Sequence, residues 1–147
     1  MNTQELIKAK GELKVVLIGK DGQVKEEHLF PNLVVTTGKN FIASRMVGTS
    51  ANVMSHMAIG SSNTSAAAGD TALGSELGRV SLGSSGASSN VVTYTATFPA
   101  GTGTGAVVEA GLFNASSSGT LLCRTVFAVV NKGSDDAMSI TWTVTVS

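Results

Sequence analysis

The sequence predicts an all-β protein, a β-sandwich or jelly roll with one short inserted α-helix. Three observations carry this expectation. Threonine takes every second position in Thr93, Thr95 and Thr97, and again in Thr141, Thr143 and Thr145, where it alternates with Trp142, Val144 and Val146. Strict alternation of this kind marks strands with one buried face. Strand-like runs separated by turn signals recur through the second half of the chain, after an earlier hairpin and two further extended runs. Only one stretch, Thr37 to Val47, carries helical spacing. No repeat of solenoid or propeller period is present, and 147 residues suit a single domain spanning 1–147.

In chain order, Glu12 to Ile18 and Gln23 to Phe30 flank Gly19-Lys20-Asp21-Gly22 and read as a β-hairpin. Leu13, Val15 and Leu17 share one face of it and Lys14 the other. Pro31-Asn32 is expected to end the hairpin, followed by the short apolar run Leu33 to Thr36. Thr37 is placed as cap of the helix, with Phe41, Ile42 and Met46 inward, Lys39 and Arg45 in water, and Gly48-Thr49-Ser50 as the stop. Val53 to Ile59 reads as a buried strand, Ser61 to Gly69 as a small-residue loop, and Asp70 as the cap of a single helical turn. Leu77 to Leu82 is extended, and Gly83 to Asn90 reads as a second low-complexity loop. Strands are then expected over Val91–Phe98, Ala106–Phe113, Leu121–Val130 and around Thr141–Val146.

Charge sharpens the organisation. Ten Lys+Arg balance ten Asp+Glu, and only 14% of residues are charged, well under the roughly 25% of an average soluble domain. Neutrality argues against a nucleic-acid binder held by phosphate contacts and against a polybasic membrane anchor. A mean hydropathy of +0.24 is too high for a disordered chain. Half of the charges fall in residues 1–30, while beyond Val80 only Glu109, Arg124, Lys132, Asp135 and Asp136 are charged. Residues 1–30 are therefore expected to form a charged N-terminal arm and hairpin on a β-sandwich body of residues 31–147. Lys8, Lys10, Lys14 and Lys20 are its candidate partner-binding residues, through complementary charge. The N-terminus lacks a signal-peptide profile, and no run approaches the ~20 apolar residues of a membrane span. The chain is expected to be made as a soluble protein inside a cell.

Catalytic patterns are scarce. His28 and His56 sit on separate elements without Cys or carboxylates at metal-ligand spacing. Gly38-Lys39-Asn40 lacks the leading glycine and the Ser/Thr of a phosphate loop. Gly83-Ser84-Ser85-Gly86-Ala87 misses the final glycine of a nucleophile elbow. Asp135-Asp136 and Glu26-Glu27 are adjacent and would point to opposite faces of a strand; the best separated acid pair is Glu76 with Glu109. Thr102 to Gly105 reads as a flexible loop. Cys123 is expected to be a buried, inert thiol sharing a strand face with Leu121, Thr125 and Phe127. No enzymatic role, cofactor or metal is expected.

Several segments together resemble a family. They are Asn32 to Arg45, His56-Met57-Ala58-Ile59-Gly60, Asp70 to Arg79, Thr93 to Phe98, Glu109 to Asn114, Arg124 to Phe127, and Val130 to Gly133. As a set, spanning roughly residues 30–147, they resemble small virion proteins of tailed bacteriophages. Some of these are capsid cement (decoration) proteins; similar stretches appear in tail-fibre-associated proteins. The resemblance implies a β-sandwich that binds the outside of an icosahedral head and clamps neighbouring major capsid proteins. It would act as a homo-oligomer, dimer or trimer, without nucleic acid or membrane, on the capsid exterior of the virion after synthesis in the host cytoplasm. A tail-fibre or receptor-binding component is the alternative, with the Gly60–Gly69 and Gly83–Asn90 loops as recognition tips. Neutral, Thr-rich strand faces suit assembly, because desolvating them is cheap; the same faces also suit plain exposure to water.

Overall fold

The computed structural model describes residues 7–48 and 51–147. Nine strands and one helix form among them: β1 (Ala9–Ile18), β2 (Val24–Val34), α1 (Thr36–Arg45), β3 (His56–Gly60), β4 (Glu76–Ser81), β5 (Ser84–Ser88), β6 (Val91–Phe98), β7 (Gly105–Phe113), β8 (Leu121–Lys132) and β9 (Ala137–Val146). All pairings are antiparallel, in the order β4-β3-β7-β8-β2-β1-β9-β6-β5. This is the expected all-β sandwich with one short inserted helix. A single sheet curls over on itself, and β2 belongs to both layers: Gly11 to Ile18 pair with its first part, and its Leu33 and Val34 pair with Arg124 and Cys123 of β8.

The alternation read from the sequence directs the packing. Leu13, Val15 and Leu17 of β1 and Met138, Ile140, Trp142 and Val144 of β9 face inward. They meet Met57, Ile59, Val107, Leu112, Phe127 and Val130 of the other layer in one buried cluster. The N-terminal hairpin is therefore no appendage. β1 lies between β2 and β9, with Val15 opposite both His28 and Ile140, and contributes core side chains. The first six residues of the expected arm, and Thr49 and Ser50 of the expected helix stop, lie outside the described residues.

Several expectations are corrected. Pro31 does not end β2; it sits opposite Glu12 and the strand runs on to Val34. The Pro31 carbonyl accepts a hydrogen bond from the Thr125 hydroxyl at 2.7 Å, so its nitrogen faces the same edge, where the ladder to β8 has not yet begun. A missing N–H costs nothing there. The helix begins at Thr36, and Val35 precedes it without a side-chain cap; the Thr37 hydroxyl instead donates to the Leu121 carbonyl at 2.9 Å. It ends at Arg45, leaving Met46 82% and Val47 81% exposed, so Met46 does not pack inward. Asp70 caps no helix; its carboxylate accepts the Ala67 N–H and ties to Arg124. The stretch read as a loop over Gly83–Asn90 contains β5, paired with β6 from Ser84–Thr95 to Ser88–Val91. Gly103, in the stretch read as flexible, is packed so that a Cβ there would lie 2.5 Å from Ile59 Cδ1. In β8 the extra residue Leu122 sits between the pairs Phe113–Leu121 and Leu112–Cys123. This bulge flips the alternation, so Leu121 and Cys123 pack into different clusters.

Candidate functional site

Polar chemistry inside the fold is spent on holding loops. Glu109 and Arg124, on neighbouring strands β7 and β8, face outward beneath the excursion of residues 61–75, and both are buried. The Glu109 carboxylate accepts the N–H groups of Ser62 at 2.9 Å and of Gly74 and Ser75 at 2.8 Å. Arg124 donates to it from Nε and Nη2, both at 3.1 Å. Arg124 also reaches Asp70 at 2.8 Å and the Thr64 carbonyl at 3.0 Å. Gly60 permits this approach, since a Cβ there would lie 2.5 Å from the Ser75 carbonyl and 2.6 Å from Glu109 Oε2. Under the same excursion Leu73 packs on a small second core of Val35, Ala58, Phe113 and Leu121. The sequence held a signal for this: Glu109 and Arg124 are lone charges of opposite sign within apolar runs. Glu76, weighed as the other acid of a pair, is held by Arg79 at 2.7 Å. Arg79 also donates to the Ala115 and Ser118 carbonyls and lies 3.8 Å above the Phe113 ring.

A second knot closes the β8–β9 turn. Lys132 is 2% exposed and donates to the carbonyls of Pro99 at 2.9 Å and Asp136 at 2.7 Å; burial pushes its ammonium below the usual lysine range. The Asp136 carboxylate accepts the Gly133 N–H at 2.8 Å and Lys25 at 3.1 Å. These bonds hold its carboxyl below the ordinary range. Cys123 is fully buried, and burial pushes its thiol up to about 12. The histidines are apart: His28 contacts Glu26 at 3.1 Å and stacks on Phe30, while His56 lies between the Ser55 and Ser81 hydroxyls. Among the described residues no three His, Cys, Asp or Glu side chains come together as a metal site. No helix among them is long and apolar enough to cross a membrane.

What remains for recognition is surface. The outer face of the β8-β7-β3-β4 layer is covered around Glu109 and Arg124 by the 61–75 excursion, and α1 packs through Phe41 and Ile42 on the end of the main core, whereas the outer face of the β5-β6-β9-β1-β2 layer is open. Register fixes what it presents. Thr93 stands opposite Thr143, Thr95 opposite Thr141 and Thr97 opposite Ser139; on the far side, Ser84 stands beside Thr95 and Gly86 beside Thr93. The Ser84 and Thr95 hydroxyls bond at 2.5 Å. Thr145, Thr143 and Thr141 then stand beside Lys10, Glu12 and Lys14 of β1. One sheet face thus divides into an uncharged hydroxyl half on β5, β6 and β9 and a charged half on β1 and β2.

The four candidate lysines separate. Lys14 pairs with Glu27 at 2.9 Å on the charged half. Lys20 is exposed in the β1–β2 turn, about 30 Å along the strand from Lys10 at ~3.3 Å per residue. Lys8 and Lys10 come together with Lys39, which sequence reasoning assigned only to water. The three rim a trough of about 620 Å³ between α1 and the end of the β1–β9 pair. A search of protein families, curated proteins and solved structures finds no match to this chain.

Proposed function

We propose that this chain is a structural virion protein of the capsid-cement type, which seats in many copies on the outside of an icosahedral head and clamps neighbouring major capsid proteins. The observation that carries the reading is the open hydroxyl face of β5, β6 and β9. A face of threonine and serine loses little on desolvation, because each hydroxyl donates or accepts against a partner as readily as against water. The opposite layer has its outer face covered around Glu109 and Arg124 by its own 61–75 loop, which favours association through the open side. The charged half beside it sets orientation, since like charges set against each other are costly. Copies acting together as a dimer or trimer would multiply weak contacts through high effective concentration.

The test is particle stability. Heads assembled without this chain should release DNA at a lower temperature than complete heads, and adding back purified protein should restore the value. An unchanged release temperature refutes the cement reading. Densitometry of purified particles should show hundreds of copies; a handful would indicate a tail component. Thr93→Lys with Thr143→Lys, which places two like charges opposite each other on the neutral half, should lower particle occupancy with the monomer still folded.

A further inference from the structure

We infer that the trough beneath α1 is a docking site for a short polypeptide segment of a partner protein, one with one or two large apolar side chains flanked by Asp or Glu. One wall is the helix face Lys39, Ile42, Ala43 and Met46; the other is Lys8 to Lys10 with Val146 and Ser147. The floor continues through Ile42 and Val146 into a deeper hollow of about 190 Å³, lined by Phe41, Tyr94, Leu122 and Val144 among others. This is unusual apolar surface to leave open. Ile7 is 79% and Met46 82% exposed at the rim, and Phe41 and Ile42 are only half-buried.

Charge selects the occupant. Lys8, Lys10 and Lys39 make no side-chain hydrogen bond or ion pair with any described residue, while Lys14 and Lys25 are paired with acids of their own chain. Among the described residues no Asp or Glu lines the trough. The nearest acid on β1 is Glu12, one position further along the same face as Lys10. The helix has no acid in its first turn to offset Lys39. The complementary ligand carries carboxylates at its flanks and an apolar centre. A polypeptide fits better than a single-headed amphiphile, because the lysines are divided between the two sides, Lys39 on the helix and Lys8 and Lys10 at the start of β1, rather than grouped at one end. From Lys39 to Met46 the helix advances about 10 Å at ~1.5 Å per residue. That length takes two turns of helix or three extended residues. Apolar anchors in a pocket with a charged rim are the usual anatomy of such sites.

The inference does not depend on the virion reading and is tested on the isolated full chain. Random displayed 12-residue peptides are selected on the wild-type protein and counter-selected on Lys10→Glu/Lys39→Glu. The enriched sequence should centre on a large apolar residue between acids. Its synthetic peptide should bind the charge-reversed variant at least tenfold more weakly, and Ala43→Trp, which fills the trough without altering charge, should weaken it likewise. Unchanged thermal unfolding of both variants keeps the comparison valid; where either is destabilised, Lys8→Gln/Lys10→Gln and Ala43→Leu replace them. No enrichment, enrichment without acids, or binding indifferent to the variants overturns the inference. So does preferential binding of dodecanoate or of phosphatidylglycerol vesicles, which makes the trough a lipid site. A chain lacking residues 1–6 that binds the peptide tenfold more tightly assigns the trough to that segment instead, also overturning it.

Discussion

Glu109→Gln isolates the contribution of the buried carboxylate with almost no change of shape. In the native chain one oxygen, Oε2, accepts the Ser62 and Ser75 N–H groups, and the other, Oε1, accepts Gly74 and both Arg124 bonds. Glutamine must turn its NH₂ toward one of these sets, where donor meets donor. With the amide facing Ser62 and Ser75, two backbone N–H groups lose their acceptor, at about 1–3 kcal/mol each. Turned the other way, Gly74 and Arg124 lose theirs, and the guanidinium retains only Asp70 and a carbonyl. Removing one member of a buried ion pair typically costs about 3–5 kcal/mol. The first route gives about 2–6 kcal/mol and the second about 3–5 kcal/mol; the central range of about 3–5 kcal/mol is a large share of the ~5–15 kcal/mol that holds a domain together. At ~2–4 °C per kcal/mol for a chain of this size, Tm should fall by roughly 6–20 °C. Urea denaturation gives the free energy, and hydrogen exchange should show the Ser62, Gly74 and Ser75 amides losing protection first. Because Glu109 serves three backbone donors besides Arg124, Glu109→Gln with Arg124→Met should stay destabilised. A loss under about 1 kcal/mol in the single variant, or recovery in the double one, refutes the assignment.

Three further outcomes follow from the packing. Gly38→Ala in an exposed helix would add up to ~1 kcal/mol of stability, but a Cβ here runs into the Leu122 carbonyl. The variant should instead unfold about 1–3 kcal/mol more easily, checked by thermal denaturation; a raised Tm refutes the close contact. Cys123 should resist maleimide at pH 8 in the folded protein and react only as fast as the chain unfolds in urea; rapid native labelling refutes its burial. Asp136 has a depressed folded pKa, so its contribution is full above the unfolded value of ~3.9 and is lost as pH falls through the folded value. The urea midpoint of Asp136→Asn should therefore fall less steeply than wild type below about pH 4, and parallel profiles would refute this.

Strands with one wet and one dry face were legible because alternation is the direct imprint of that geometry. β1, β6 and β9 carry it plainly. β5 was not legible, since Ser84 to Ser88 are all exposed and leave no apolar imprint; the free ladder of β6 makes them a strand. β8 misled through its bulge, which breaks the two-residue period at Leu122. Pro31 misled because only the strand order reveals which edge its nitrogen faces. Met46 followed the helical spacing, but the helix stops before it. Of the candidate site, Lys8 and Lys10 were legible as charge, whereas their meeting with Lys39 depends on where α1 is laid across the β1–β9 end. That placement depends on Gly38 approaching Leu122, a contact far apart in sequence.

The sheet has two free ends, and they are unlike. β4 ends one side with Glu76 and Arg79 among its residues, and its Gly78 lies against Gly103 of a neighbouring turn. β5 ends the other side with a short uncharged run that has neither proline nor bulge, the usual defences of an edge. If backbone pairing joined two copies through β5, each copy would thereby consume its uncharged end, and the charged β4 strands would remain outermost. Such pairing closes at a two-fold pair, and growth beyond it would have to use β4, whose edge carries Glu76 and Arg79. In the many-copy role proposed above, that difference between the two ends would separate ordered assembly from fibre growth.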